Sequence, residues 1–156
     1  MNTNRRSFLK TSITASAFGV AVSAGLITPR AVLAAWPKAA FTATDLDAAI
    51  KGAFGSTATT NSANIILKAP EIAENGAVVP ITATSKIAGT ESITLLISKN
   101  PTPLTASFMF GKNTQGFVST RVKMSKTSDL MVIVKANGKL YSAKKEIKVT
   151  IGGCGG

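Results

Sequence analysis

The chain has 156 residues, of which 18 are Lys or Arg and 7 are Asp or Glu, and it has one cysteine and no histidine. The absence of histidine excludes a Ser-His-Asp triad and a Cys-His pair, and it removes the commonest metal ligand. A single cysteine permits neither an internal disulfide nor a cysteine-rich zinc or iron–sulfur site. The sequence therefore predicts no catalytic residue, no metal site and no cofactor.

The N-terminus has the pattern of an export signal. Arg5 and Arg6 precede an uncharged stretch rich in Ala, Ser and Gly at residues 11–28, and small residues follow up to Ala34. Signal peptides have this order of basic, apolar and small-residue regions, and paired arginines are typical of the bacterial twin-arginine route. We therefore expect residues 1–34 to be removed and the mature protein to lie in the periplasm. A transmembrane anchor is the alternative, which the weak hydrophobicity of the stretch and the cleavage site disfavour.

The mature chain would keep a positive charge. Removal of the four basic residues of the signal leaves 14 basic and 7 acidic residues, a net charge of +7. This balance favours anionic partners or small anions. Nucleic acid is disfavoured, because the lysines are spread along the chain, Arg121 is the one arginine left, and export separates the protein from the genome.

The first predicted element of the mature chain is a short helix at residues 44–53. Thr44 with Asp47 resembles a capping box, and Gly52 and Gly55 are expected to help end the helix. Its apolar residues recur at helical spacing, namely Leu46, Ala49, Ile50 and Ala53. The close acidic pair of Asp45 and Asp47 is interpreted as stabilising the helix start, not as a catalytic pair.

The rest of the body is predicted to be β-strands separated by turn signals such as Asn75-Gly76 and Asn137-Gly138. Pro80 cannot donate to a strand ladder, so its strand is expected to be bulged or at an edge. The pattern predicts an all-β fold, an immunoglobulin-like β-sandwich of about seven strands with a short N-terminal helix, over residues 35–151. The predicted strands are 65–67, 77–82, 92–98, 104–110, 117–124, 130–136 and 139–151.

The last five residues, Gly-Gly-Cys-Gly-Gly, are predicted to form a flexible arm, because glycine loses the most conformational entropy on ordering. Its glycines are Gly152, Gly153, Gly155 and Gly156. Cys154 can reach about 10 Å beyond Ile151, at roughly 3.3 Å per residue. The chain supplies neither a general base nor a second cysteine. We therefore interpret Cys154 as a covalent attachment site that presents sulfur to enzymes holding the missing groups.

Two other interpretations of this terminus stay open. Cys154 could cross-link an exported β-sandwich interaction module to a partner by an intermolecular disulfide. Alternatively, the carboxylate after Gly155 and Gly156 could become a thiocarboxylate, as in ubiquitin-like carriers. The latter is disfavoured, because ATP activation belongs in the cytoplasm and this chain is addressed outside it.

These features together resemble the SoxY family, the cysteine-bearing subunits of the SoxYZ sulfur-carrier complexes of bacterial thiosulfate oxidation. The resemblance covers the whole chain. It rests on the twin-arginine leader, the sequence EIAENG at residues 71–76 followed by Val79-Pro80, the strand-rich body and above all the terminal GGCGG. It implies that Cys154 carries thiosulfonate and persulfide intermediates.

The resemblance also implies partners. A smaller SoxZ-like subunit would form a tight heterodimer with the chain. A c-type cytochrome would couple thiosulfate to Cys154, a hydrolase would release sulfate, and in some bacteria a sulfane dehydrogenase would oxidise the remaining sulfur. A positive body would favour the anionic thiosulfonate, and Lys144, Lys145 and Lys148 are expected to contribute because they precede the arm.

Overall fold

The computed structural model of the protein describes residues 37–151, and residues 1–36 and 152–156 lie outside the described part. The predicted export signal with Arg5 and Arg6, and the predicted arm with Cys154, therefore fall outside it. Within residues 37–151, no helix is long and apolar enough to cross a membrane.

Two short helices precede nine strands in the described part of the chain. The helices are α1 (Lys38–Thr42) and α2 (Leu46–Phe54). The strands are β1 (Thr60–Asn61), β2 (Ile65–Lys68), β3 (Ile72–Ala73), β4 (Val79–Ser85), β5 (Thr90–Ile97), β6 (Leu104–Met109), β7 (Gly116–Val122), β8 (Ser128–Ala136) and β9 (Lys139–Val149).

The strands form two sheets. The larger sheet has the order β1-β9-β8-β5-β6, with β3 also paired to β9, and the smaller sheet has the order β2-β4-β7. The pairs among β5, β6, β8 and β9 are antiparallel, whereas β1 and β3 run parallel to β9. The predicted all-β sandwich is confirmed.

The main core lies between the inner faces of the two sheets. Strand β4 shows the required alternation, since Val79, Ile81 and Ala83 are buried while Pro80 is exposed. The largest buried side chains of this core are Ile81, Ile93, Leu95, Ile97, Met124, Leu130 and Ile147.

A second, smaller core lies on the other face of the larger sheet, where the two helices pack. Ile50 of α2 belongs to this cluster together with Leu96 of β5 and Ile133 of β8. Strand β5 is therefore buried on both faces from Ser92 to Ile97. This double burial explains why its sequence is a nearly continuous apolar run and does not alternate.

The predicted helix is present, with shifted ends. Its N-cap is Asp45, whose carboxylate accepts a 2.9 Å hydrogen bond from the Ala48 amide, and it ends at Gly55 with a φ of 77°. Gly52 does not end the helix. A Cβ at Gly52 would lie 3.1 Å from the backbone of Ala40, so this glycine lets α1 approach closely.

All seven predicted strands are present, and two strands of two residues each, β1 and β3, were not predicted. Pro80 lies in β4, the central strand of the smaller sheet. However, β4 pairs with β2 only as far as Thr82. Its pairing with β7 continues through Pro80 without a shift of register. At Pro80, β4 is thus paired with β7 but not with β2. The unpaired side behaves locally as a sheet edge, where the missing N–H of proline is tolerated.

Candidate functional site: the surface from which the C-terminal segment continues

Cys154 and its four flanking glycines lie outside the described residues. The described part of the site is therefore the surface around Ile151, from which the chain continues towards Cys154. Ile151 follows β9, which is the longest strand of the described part at 11 residues. What holds the end of β9 also fixes the starting point of residues 152–156.

Strand β3 holds one side of the end of β9. Ile72 pairs with Lys148, and Ala73 pairs with Val149, in a parallel arrangement. The Lys148 amide donates a 2.9 Å hydrogen bond to the Glu71 carbonyl, and the Thr150 amide donates a 3.1 Å hydrogen bond to the Ala73 carbonyl. The backbone of β9 is thus paired one residue beyond the strand proper.

The turn after β3 holds the last described residue. The Gly76 amide donates a 2.8 Å hydrogen bond to the carbonyl of Ile151, and the Gly76 carbonyl accepts a 2.7 Å hydrogen bond from the Met124 amide. The side chain of Asn75 accepts a 2.8 Å hydrogen bond from the Ala77 amide, which shapes this turn. Gly76 therefore connects the end of β9 to the segment that follows β7.

A threonine holds the other side of β9. The amide of Val149 donates a 2.9 Å hydrogen bond to the hydroxyl of Thr127, which precedes β8. The adjacent loop is fixed by Asn100, whose side chain donates to the Lys123 carbonyl at 2.8 Å and accepts from the Ser125 amide at 2.9 Å. Hydrogen bonds from two separate segments, residues 71–76 and Thr127, thus converge on the end of β9.

The segment at residues 71–76, which the sequence marks by the resemblance and by the turn signal Asn75-Gly76, has a clear structural role. It supplies β3 and the turn at Gly76, and both bind the last residues of β9. We refer to residues 71–76 as the clamp. Sequence periodicity could not reveal the clamp, because its strand has two residues and its other contacts are made by the backbone.

The three lysines expected to contribute to the charge near the arm lie at different distances from Ile151. Lys145 lies half-buried, and its Nζ donates a 2.6 Å hydrogen bond to the carbonyl of Ala69. Lys144 is exposed seven residues before Ile151, about 23 Å away along an extended strand. Lys148 is exposed about 10 Å from Ile151 by the same measure, beside Ile72. The expectation that these lysines contribute to the loading of Cys154 stays a prediction, in which Lys148 has the position nearest to Ile151.

Apolar side chains are exposed around Ile151. The alternation of β9 predicts a buried Ile151, but Ile151 is 68% exposed because the strand ends at Val149 and leaves the sandwich. Ile72 in the clamp is 58% exposed, and Val78, two residues after the clamp, is 54% exposed. Three of the five large apolar residues exposed in the described part therefore lie at this site.

The described residues offer little other chemistry. No group of three or more His, Cys, Asp or Glu side chains within residues 37–151 could hold a metal ion. Cys154, the predicted attachment site, is three residues beyond Ile151, so chain length alone limits its Cα to within about 10 Å of the Cα of Ile151.

Comparison with known proteins identifies the family. The family model for sulfur oxidation protein SoxY matches residues 50–154, so the match includes the clamp and ends at Cys154. A solved structure of the sulfur carrier protein SoxY from Chlorobium limicola f thiosulfatophilum is similar to this chain. Its sequence identity is 47%, its TM-score is 0.63, and the match covers 69% of this chain and 97% of that chain.

The remaining comparisons add little. A chain from a structure of T cell activation by the superantigen toxic shock syndrome toxin-1 matches with a TM-score of 0.39 and 10% identity, covering 55% of this chain and 98% of that chain. A similarity this low carries no argument. No curated protein sequence matches the chain. The SoxY structure supports the predicted immunoglobulin-like sandwich. The chain belongs to the SoxY family of sulfur oxidation proteins.

Proposed function

We propose that the mature protein is a periplasmic sulfur carrier that holds thiosulfonate and persulfide intermediates on Cys154 and presents them to partner enzymes. One observation carries this proposal above the others: the SoxY family match extends to Cys154, the only cysteine of the chain. The similar Chlorobium protein is described as a sulfur carrier. The protein itself is not an enzyme in this proposal.

Loading of Cys154 is an oxidation. The Cys154 thiolate and the sulfane sulfur of thiosulfate form a disulfide bond, and two electrons leave to a c-type cytochrome. The product is the anionic cysteine S-thiosulfonate. The chain offers no group that could accept these electrons, because it has neither a second cysteine nor a histidine to ligate a redox metal. The oxidant must therefore belong to the partner.

Release of sulfate is a hydrolysis. Water attacks the terminal sulfonate sulfur, the S–S bond to it breaks, and sulfate, two protons and a Cys154 persulfide are formed. A hydrolase supplies this step in the proposal. A sulfane dehydrogenase, where the bacterium has one, oxidises the remaining persulfide sulfur. Because each step needs a different enzyme, the thiol must move between sites, which suits a cysteine near a chain terminus.

The proposal includes export and a second subunit. The twin-arginine pattern at Arg5 and Arg6 addresses the chain to the periplasm, and a SoxZ-like subunit forms a heterodimer with it. The net charge of +7 on the mature chain favours an anionic adduct on Cys154 and attracts thiosulfate over short range.

Intact mass spectrometry tests the proposal. The mature protein is isolated from the periplasm of thiosulfate-fed cells and measured before and after treatment with a thiol reductant, beside Cys154→Ser. We expect additions of sulfur and of thiosulfonate that the reductant removes and that Cys154→Ser lacks. The measured mass also gives the cleavage site.

The same experiment distinguishes the alternatives. A stable disulfide dimer on a non-reducing gel would replace the carrier proposal with a cross-linked interaction module, and a free thiol without any addition would contradict the carrier proposal. If removal of Gly155 and Gly156 abolished sulfur loading while Cys154→Ser did not, the terminal carboxylate would be the carrier group.

A further inference from the structure

Three exposed apolar residues lie on the segments that are bound to the end of β9. Ile151 is the start of the C-terminal segment, and its carbonyl is bound by Gly76. Val78 follows Gly76 by two residues, so their Cα atoms are at most about 7.6 Å apart. Ile72 pairs with Lys148, and Lys148 is three residues before Ile151 in the sequence. We call Ile72, Val78 and Ile151 the apolar collar.

The collar residues lie on backbone that is held in place. Ile72 is in a strand paired to β9, and Ile151 is fixed by the hydrogen bond from Gly76. Val78 stands between the turn at Asn75 and strand β4, and its amide donates a 3.4 Å hydrogen bond to the Asn75 carbonyl. A surface that is already ordered loses little backbone entropy on binding, which favours its use as a contact.

The length of the C-terminal segment decides what must contact the collar. Cys154 is three residues beyond Ile151, so its Cα lies within about 10 Å of the Cα of Ile151 in any conformation. An enzyme that reacts with the Cys154 sulfur inside a recessed site must therefore bring the rim of that site against the surface around Ile151. The collar is the part of that surface on which apolar burial can contribute to binding.

We propose that the apolar collar docks onto an apolar rim around the active-site channel of each enzyme that receives Cys154. This inference rests on the proposed carrier function and deepens it. Because one short segment must serve several enzymes, the contact is small, and each collar side chain supplies a sizeable share of the binding. The occupant is the mouth of an enzyme channel, because the three residues from Ile151 to Cys154 bring any such mouth against this surface.

The chain offers matched controls. Met109 is 77% exposed and Phe117 is 51% exposed, so both resemble the collar residues in apolarity and exposure. They lie at the opposite end of the sandwich. Strand β4 begins next to Val78 with the pairing of Val79 with Val122, whereas Phe117 pairs with Thr84 near the other end of β4. Met109 ends β6 and pairs with Ser92. An effect of general surface hydrophobicity would appear in both sets.

The test compares Val78→Ser/Ile151→Ser with Met109→Ser/Phe117→Ser, each prepared in the complex with the SoxZ-like subunit. Enzymatic loading of Cys154 is followed with thiosulfate and the thiosulfate-coupling cytochrome of the same cells. We expect kcat/KM for the carrier to fall at least about tenfold in the collar variant, mainly through KM, and to stay within about twofold in the control. Ile72→Ser should give a smaller loss.

Two further measurements make the result decisive. The reaction of Cys154 with a small aromatic disulfide reagent should be equal in all variants, because this reagent needs no docking surface. Co-purification of the SoxZ-like subunit should also be unchanged. Unchanged enzymatic loading in the collar variant would overturn the proposal, as would loss of the SoxZ-like subunit, which would assign the collar to the heterodimer interface. Loading that persists in Cys154→Ser would instead refute the carrier function itself.

Discussion

The backbone amide of Gly76 donates a 2.8 Å hydrogen bond to the carbonyl of Ile151, and this contact ties the end of the last strand to a turn more than seventy residues earlier in the chain. The carbonyl of Gly76 in turn accepts from Met124. Ile151 is therefore connected to both sheets of the sandwich. A carrier needs this arrangement, because a fixed starting point gives the three residues up to Cys154 a defined range of reach.

The hydroxyl of Thr127 should contribute to the hold on β9. Thr127→Val keeps the shape of the side chain but leaves the Val149 amide without its 2.9 Å acceptor. We expect a loss of about 1–2 kcal/mol in the free energy of unfolding, measured by chemical denaturation. Hydrogen exchange at the Val149 amide should become faster. Thr127→Ser retains the hydroxyl and should lose much less, and equal losses in the two variants would contradict this role.

The length of the C-terminal segment should limit enzymatic loading. Deletion of Gly152 and Gly153 moves Cys154 next to Ile151 and shortens its reach by about 7 Å. We expect enzymatic loading with thiosulfate to fall by at least about tenfold, because the thiol no longer meets the reacting groups in a recessed site. The substitution of both glycines by serine keeps the length and serves as the control. Normal loading of the shortened chain would show that the enzyme site is not recessed.

Much of the fold could be predicted from the sequence because local chemistry and tertiary packing agree there. Asn137 and Gly138 have φ values of 51° and 71°, the left-handed pair that a two-residue hairpin requires, and they connect β8 to β9 as the sequence predicts. Strand β4 alternates over seven residues. Helix α1 was not predicted, because it has five residues and no side-chain cap.

The candidate site could be predicted only in part. Cys154 is evident from composition, since it is the single cysteine and stands among glycines. The clamp depends on backbone hydrogen bonds between distant segments, which leave no periodic pattern in the sequence. The exposure of Ile151 was also not predictable, because alternation along β9 continues through it while the sandwich has already ended.

The stability of the sandwich should depend on pH through Glu91. A hydrogen bond from Lys135, whose Nζ lies 3.2 Å from the carboxylate, and a second from the Gly138 amide hold the pKa of Glu91 below its usual value. The stabilisation is present in full above the usual pKa of about 4.3 and is lost as the pH falls through the lowered value.

The thermal midpoint of Glu91→Gln, compared with that of the unsubstituted protein, tests this dependence. We expect a small difference at pH 7 that shrinks as the pH falls through the lowered pKa of Glu91, because the protonated Glu91 is neutral like Gln. The difference should stay small, since the ion pair is exposed to solvent. A difference that grows on acidification would show that Glu91 acts by other means than its charge.

Loading should also depend on the charge of Lys148 and not on that of Lys144. Lys148 lies about 10 Å from Ile151 along the strand, within one Debye length at 0.1 M salt, whereas Lys144 lies about 23 Å away. We expect Lys148→Gln to slow enzymatic loading with thiosulfate about two- to threefold at 0.1 M salt, because thiosulfate and the adduct are anions. Lys144→Gln is the matched control, and its loading rate should equal that of the unsubstituted protein within experimental error.

The salt dependence gives a second check. Because screening removes the contribution of Lys148, the two variants should load at equal rates near 0.5 M salt. Equal slowing by both substitutions at 0.1 M salt would mean that the net charge of the body matters, and not the position of the lysine nearest to the C-terminal segment.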